Sequence, residues 1–265
     1  MIRAEETLLI EDKEEKTSVW PAIALAIFAI VVAIGTLKFG LQTLTWLEAK
    51  NLASSNPWIA NVPKPIEKTP PQAKPDFVKL FEFEFDCPWP GKSKVERTLT
   101  YGIARYDSGQ VVVFFDPQSS LDTIGALKAS SPLDYQKFAN IFAGDPVDSN
   151  YGLYQAVYSV SPAQVSPLMS VGDAQRLNTL MMWKLAFGPD LSGDGPFYSL
   201  DFGSVRGFQF GDPASGRPVA VRAFDERDHQ YRFIFTIANG STAKITQEDI
   251  NSAVQSVEPV PFIDR

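Results

Sequence analysis

The chain has 265 residues, 45% hydrophobic and 12% aromatic, with a formal net charge of −7. That composition supports a packed core rather than disorder, and the acidic balance argues against sequence-independent nucleic-acid binding, which needs a basic surface to displace phosphate counterions. A single cysteine, Cys87, and a single histidine, His229, exclude an intrachain disulfide and a zinc site of ordinary nitrogen and sulfur composition.

Residues 1–18 form an acidic N-terminus, in which Glu5, Glu6, Glu11, Asp12, Glu14 and Glu15 outweigh Arg3, Lys13 and Lys16. Residues 19–37 carry no charge. At 1.5 Å per residue they make about 28 Å, close to the thickness of a bilayer core. Trp20 and Trp46 stand where interfacial aromatics stand. A cleaved signal peptide would have a short positive leader, a shorter apolar run and a small-x-small cleavage site. The reading is therefore an uncleaved signal anchor, with a transmembrane helix over residues 19–40. Arg3, Lys13 and Lys16 precede it, and Lys38 and Lys50 follow. By the positive-inside rule the N-terminus is cytoplasmic and the following domain exoplasmic, periplasmic at the inner membrane of a bacterium.

One face of the span carries Ala22, Ala26, Ala29, Ala33, Thr36 and Gly40, spaced alternately by four and three. Small residues on one stripe let a second helix approach closely. Alanine is also simply common in membrane spans. Leu41, Leu44 and Leu47 continue a helical pattern up to Pro57. Residues 56–76 hold six prolines and read as an extended spacer. Residues 41–76 are thus a helical extension and linker. It is either a passive tether or a strap that lays Trp58, Ile59 and Val62 across a neighbouring subunit.

Residues 77–265 are predicted to fold as an α+β domain. In 77–86, Phe81, Phe83 and Phe85 alternate with acidic residues, a half-buried strand. Strands are predicted over 98–106 and 111–115, the second apolar throughout and so central. Ser131 and Pro132 open a helix whose apolar face is Tyr135, Phe138, Ile141 and Phe142. Residues 151–158 add a helical turn or two. A longer helix spans 171–187, with Ala174, Leu177, Met181 and Leu185 on one side and Gly188-Pro189 as its stop. Strands follow over 197–202, 205–210, 219–224 and 231–237, with 225–230 as a hairpin loop. The last element is a helix capped by Thr246 with Asp249 three residues on. The order implies an antiparallel sheet of about six or seven strands with helices packed on its faces.

That order resembles the PsbP/Mog1/DcrB-like group. The likeness rests on Phe233-Ile-Phe-Thr-Ile and on the closing helix of residues 245–257, which ends in the pair Ser256-Val257. The resemblance implies a non-catalytic role, as an accessory subunit of a photosynthetic or respiratory complex, a binding adaptor or a small lipoprotein.

Catalytic signals are sparse. His229 sits in a predicted turn, and Cys87 precedes Pro88-Trp89-Pro90 as a small buried residue at a strand end. Ser241 and Lys244 match S-x-x-K, but the helix begins at Thr246, so the serine is not at a helix start where a lysine one turn on takes its proton. Residues 239–241, Asn-Gly-Ser, form a turn. The segment 190–201 puts Asp190, Ser192, Asp194 and Asp201 at positions one, three, five and twelve of a calcium-loop spacing, with Gly195 at position six. Position twelve is Asp rather than Glu, a strand follows, and a Gly/Asp/Ser loop accounts for the segment without metal. No cofactor is expected beyond that one candidate for calcium. The expectation is an accessory or assembly subunit, its partners being other membrane subunits reached through the span and linker, and the lipid bilayer. The alternative is a membrane-tethered domain that binds or senses a small ligand.

Overall fold

The computed structural model describes residues 20–66, 76–91, 94–120, 122–130, 139–142, 147–188 and 195–260. Helix α1 (Trp20–Ser55) runs for 36 residues without a break, about 54 Å of axis. Its described side chains from Ile27 to Leu41 are all exposed, and Gln42 is the first to be covered. By length and composition α1 could span a membrane. It stops at Ser55, because Pro57 has no N–H to donate and disfavours helix before it. Pro57 instead opens a 3-10 turn (Pro57–Ala60) closed by Asn61 N–H to the carbonyl of Trp58.

Eight strands form one sheet in the order β1-β7-β8-β9-β10-β6-β5-β4. They are β1 (Lys64–Pro65), β4 (Lys94–Arg97), β5 (Tyr101–Arg105), β6 (Gln110–Phe115), β7 (Phe197–Asp201), β8 (Val205–Phe210), β9 (Val219–Asp225) and β10 (Gln230–Ile237). Among the described residues only β1 with β7 is a parallel pair in this sheet; its other pairs are antiparallel. A smaller sheet joins β2 (Asp76–Leu80), β3 (Phe83–Cys87) and β11 (Glu258–Pro259). The helices are α2 (Thr123–Ser130), α3 (Asn150–Tyr158), α4 (Val171–Phe187) and α5 (Gln247–Gln255).

The large sheet is buried on both faces. Period-two alternation sends Ala220 and Phe224 of β9 to one side and Val219, Val221 and Ala223 to the other. The first side is covered by α3, α4 and the second half of α1, with Tyr158, Phe197, Phe208 and Phe210 at its centre. The opposite side is covered by the small sheet and α5, with Phe85, Phe114 and Phe233 packed edge to face or tilted and Phe235 stacked on Phe233. Helix α5 starts with the reciprocal box that the sequence predicts: Asp249 N–H donates to Thr246 Oγ1, and Thr246 N–H to Asp249 Oδ2. It is tied to β8 by paired amides of Gln209 and Gln247 at 2.7 and 2.8 Å. Ser256 Oγ accepts the N–H of Asp86 at 2.7 Å, so the serine that ends α5 fixes the small sheet.

Three expectations need correction. There are more strands than six or seven. Residues 77–86 are a hairpin rather than one strand, turning at Phe81 and Glu82, with Phe81 in the left-handed region at φ 58°. Second, the folded domain does not begin at Phe77. The segment from Gln42 to Ile59 belongs to it, since Ala49 and Ile59 are fully buried in the helix-side core. Third, the buried side of α4 ends on Lys184 rather than Leu185, which is only partly covered. The predicted helix start at Ser131 and Pro132 lies outside the described residues, as do residues 1–18, Tyr135 and Phe138. Phe142 is described, and its ring meets Trp183 edge to face.

Candidate functional site

The proposed strap is the first surprise. Trp58 and Ile59 do not face outward to a neighbour; they fill the chain's own core. Trp58 is 7% exposed and packs edge-on against Phe197 at 4.9 Å and Tyr158 at 5.9 Å. Its Nε1–H donates to the carbonyl of Lys184 at 3.2 Å. The proline-rich segment is close enough to the sheet to bury its apolar anchors intramolecularly, which leaves only Val62 exposed, at 42%.

Beside Trp58 lies a buried lysine. Lys184 is fully buried, and its Nζ donates to the carbonyls of Asn61, Tyr158 and Val160, the last two at 3.1 and 2.7 Å. An ammonium has three N–H donors, and each has a carbonyl here. The three acceptors come from the strap, the end of α3 and the segment after it, so one side chain joins them to α4. Burial pulls the Lys184 ammonium down to about 7. The available signal was its phase: 174, 177, 181 and 184 alternate by three and four.

The exposed part of α1 presents the small-residue stripe. Ala29, Ala33, Thr36 and Gly40 are exposed; the side chains of Ala22 and Ala26 lie outside those described. Ala33, Thr36, Leu37, Gly40, Leu41 and Leu44 line a shallow groove of about 580 Å³, apolar but for the Thr36 hydroxyl. That hydroxyl is turned back onto the carbonyl of Val32 at 2.8 Å, leaving the groove surface apolar.

The β9–β10 hairpin loop gathers several polar side chains. His229, which the sequence leaves without a partner, has one: its Nδ1 lies 2.9 Å from Asp225 Oδ2. The Tyr231 hydroxyl donates to the same oxygen at 2.8 Å, and the N–H groups of Arg227 and His229 donate to Asp225 Oδ1 at 2.9 Å. Burial works to raise the Asp225 carboxyl, but the hydrogen bonds from His229 and Tyr231 win and hold it below the usual carboxylate range. Asp228, at φ 64°, turns the other way and caps α3. Its carboxylate accepts the N–H groups of Asn150 and Tyr151 and the Asn150 amide. The Asn150 amide also donates to Asp122 at 2.9 Å, the main reason that Asp122 is held low. Two open cavities, about 640 and 530 Å³, flank this loop, and both are lined by Arg227 and His229. The carboxylates of Asp225 and Asp228 are thus occupied in fixing backbone.

Of the calcium-spacing residues, Asp190, Ser192 and Asp194 lie outside the described residues. Asp201 ends β7, and its Oδ1 accepts the N–H of Gly203 at 3.0 Å, a local turn. Among the described residues no group of three or more His, Cys, Asp and Glu side chains is placed to hold a metal ion. Ser241 lies in the turn before α5, where its Oγ accepts the N–H of Ala243 at 3.1 Å. Cys87 is fully buried, and burial pushes its thiol up to about 12. The folded chain is therefore expected to resist iodoacetamide at neutral pH and to react once unfolded. Alkylation at equal rates in both states, read by mass spectrometry, would show that Cys87 is accessible.

No protein family, curated protein or solved structure matches the chain.

Proposed function

We propose that this chain is a membrane-anchored accessory subunit, without chemistry of its own, that stabilises or assembles a larger membrane protein complex. One observation carries the reading. The small-residue groove of α1 is exposed along Ala33, Thr36 and Gly40, and the same helix continues unbroken into the folded domain. A partner helix seated there is held in fixed register with that domain. The PsbP/Mog1/DcrB-like resemblance points the same way and suggests a photosynthetic or respiratory complex. In this reading the N-terminus is cytoplasmic and the domain periplasmic.

Enlarging the groove floor tests it. Ala33→Ile keeps the span apolar, so insertion is unaffected, but it overpacks a close helix contact by about 1 kcal/mol or more, roughly five-fold in association. Pull-down from mild detergent is expected to lose partner subunits with Ala33→Ile and to keep them with Ile30→Leu, which changes shape without adding bulk. An undiminished set of partners with Ala33→Ile would refute the helix contact.

A second reading is a tethered small-ligand binder, favoured by the cavity of about 640 Å³ beside Arg227 and His229. Its mark is a chain that purifies alone and whose melting temperature rises with a ligand, the rise being lost in Arg227→Ala.

A further inference from the structure

Residues Ser166 to Met169 form a tight turn: Met169 N–H donates to the Ser166 carbonyl at 3.1 Å, and Leu168 N–H to Ser166 Oγ at 3.2 Å. Pro167 occupies the position that favours its fixed φ. Leu168 is at the tip and is 83% exposed. Turn tips that face water favour Gly, Asn, Asp or Ser for reasons of backbone and hydration; Leu168 departs from that preference.

Its position supplies one. Met169 packs inward on the helix-side core, and its carbonyl accepts the side-chain amide of Gln42. Gln42 is covered, directly after the exposed run from Ile27 to Leu41. The preceding 3-10 turn, Pro162–Gln164, also lies against α1. The tip is thus pinned beside the point where the apolar helix enters the domain. Gln42 is about 6 Å along the helix from Lys38, the residue that closes the uncharged stretch. The headgroup layer outside the hydrocarbon core is of similar depth, about 5–8 Å.

We propose that the 166–169 turn is a second membrane contact, with Leu168 inserted at the boundary between headgroups and acyl chains beside α1. The charged residues nearest in sequence to Gln42 and to the tip, Lys38 and Asp173, are both exposed and of opposite sign, so no basic cluster gathers there. The contact therefore rests on apolar insertion rather than attraction to anionic lipid. It rests also on the reading of α1 as a membrane span.

The test uses the full chain in phosphatidylcholine nanodiscs that hold no other protein. Leu168→Cys and Ile30→Cys each receive an environment-sensitive thiol fluorophore, while buried Cys87 stays unlabelled. Both labels are expected to shift to the blue and lose most of their emission in brominated lipid. The Leu168 site responds more to bromines near the headgroup, and the Ile30 site to bromines deep in the chains. Quenching at Ile30 with none at Leu168 overturns the second contact and leaves the anchor intact. Quenching at neither site overturns the anchor and this inference with it.

Discussion

A chain that begins at Phe77 is expected to lose its native fold, and one that begins at Leu41 to keep it. The shorter chain lacks Trp58, Ile59 and Ala49, all part of the helix-side core. Losing one large core side chain costs roughly 3–5 kcal/mol, and the stability of a whole domain is only about 5–15 kcal/mol. Deleting the strap also takes away the Asn61 carbonyl that receives Lys184 and opens that buried charge to an unlined hole. The proline-rich composition of residues 56–76 marks a domain boundary at Phe77 by sequence criteria; the packing moves it some thirty-five residues upstream, to about Gln42. Near-ultraviolet circular dichroism and thermal melting of both chains in mild detergent decide the matter. A cooperative melt of the shorter chain at the same temperature as the longer one would return the boundary to Phe77.

Lys184→Met is the second change expected to have a large effect. Methionine fills much of the same volume but leaves three buried carbonyls without their donor. At about 1–3 kcal/mol for each unsatisfied group, the loss is expected to be about 3 kcal/mol or more. The loss has a pH signature. The folded-state value of Lys184, about 7, lies below its ordinary 10.5. Between those two pH values the unfolded chain holds a proton that the folded chain has released. Stability from this group therefore rises with pH through that window and is flat below it. The gap between parent and Lys184→Met should widen from pH 7 upward, measured as melting temperature at pH 6 to 9. A gap that stays constant over that range would mean that the three carbonyls keep the ammonium charged throughout.

Much of the second half of the fold is legible in the sequence because its signals are local. Helix α4 runs over 171–187 as its periodicity and Gly188 predict, and the four strands from Phe197 to Ile237 keep their expected bounds to within a residue, the last with its alternation intact. What escapes is what depends on distant partners. The turn at Phe81 and Glu82 has neither Gly nor Asn to announce it, and Phe81 tolerates its left-handed backbone through ring contacts with Phe114 and Arg97. The strands β1, β4 and β11 are too short to show a period. The apolar residues of the strap are recognisable as needing cover, but whether cover comes from the same chain or another is a question of chain path. Lys184 reads as a charged residue near a helix C-terminus, a favourable place for any lysine; its burial goes with carbonyls on the strap, the end of α3 and the segment after it. His229 is likewise legible as a turn residue, and its carboxylate partner only as a neighbour in the loop.

The unbroken course of α1 has a consequence for heading as well as height. An α-helix turns by about 100° for each residue. With no hinge between the exposed run and Gln42, the face that the domain turns towards any neighbour is set by the count of residues in between. One residue added or removed there would raise or lower the domain by about 1.5 Å, yet swing it through more than a quarter of a circle. For a tethered body that must meet a partner, the length of this segment specifies direction as firmly as any surface residue specifies contact.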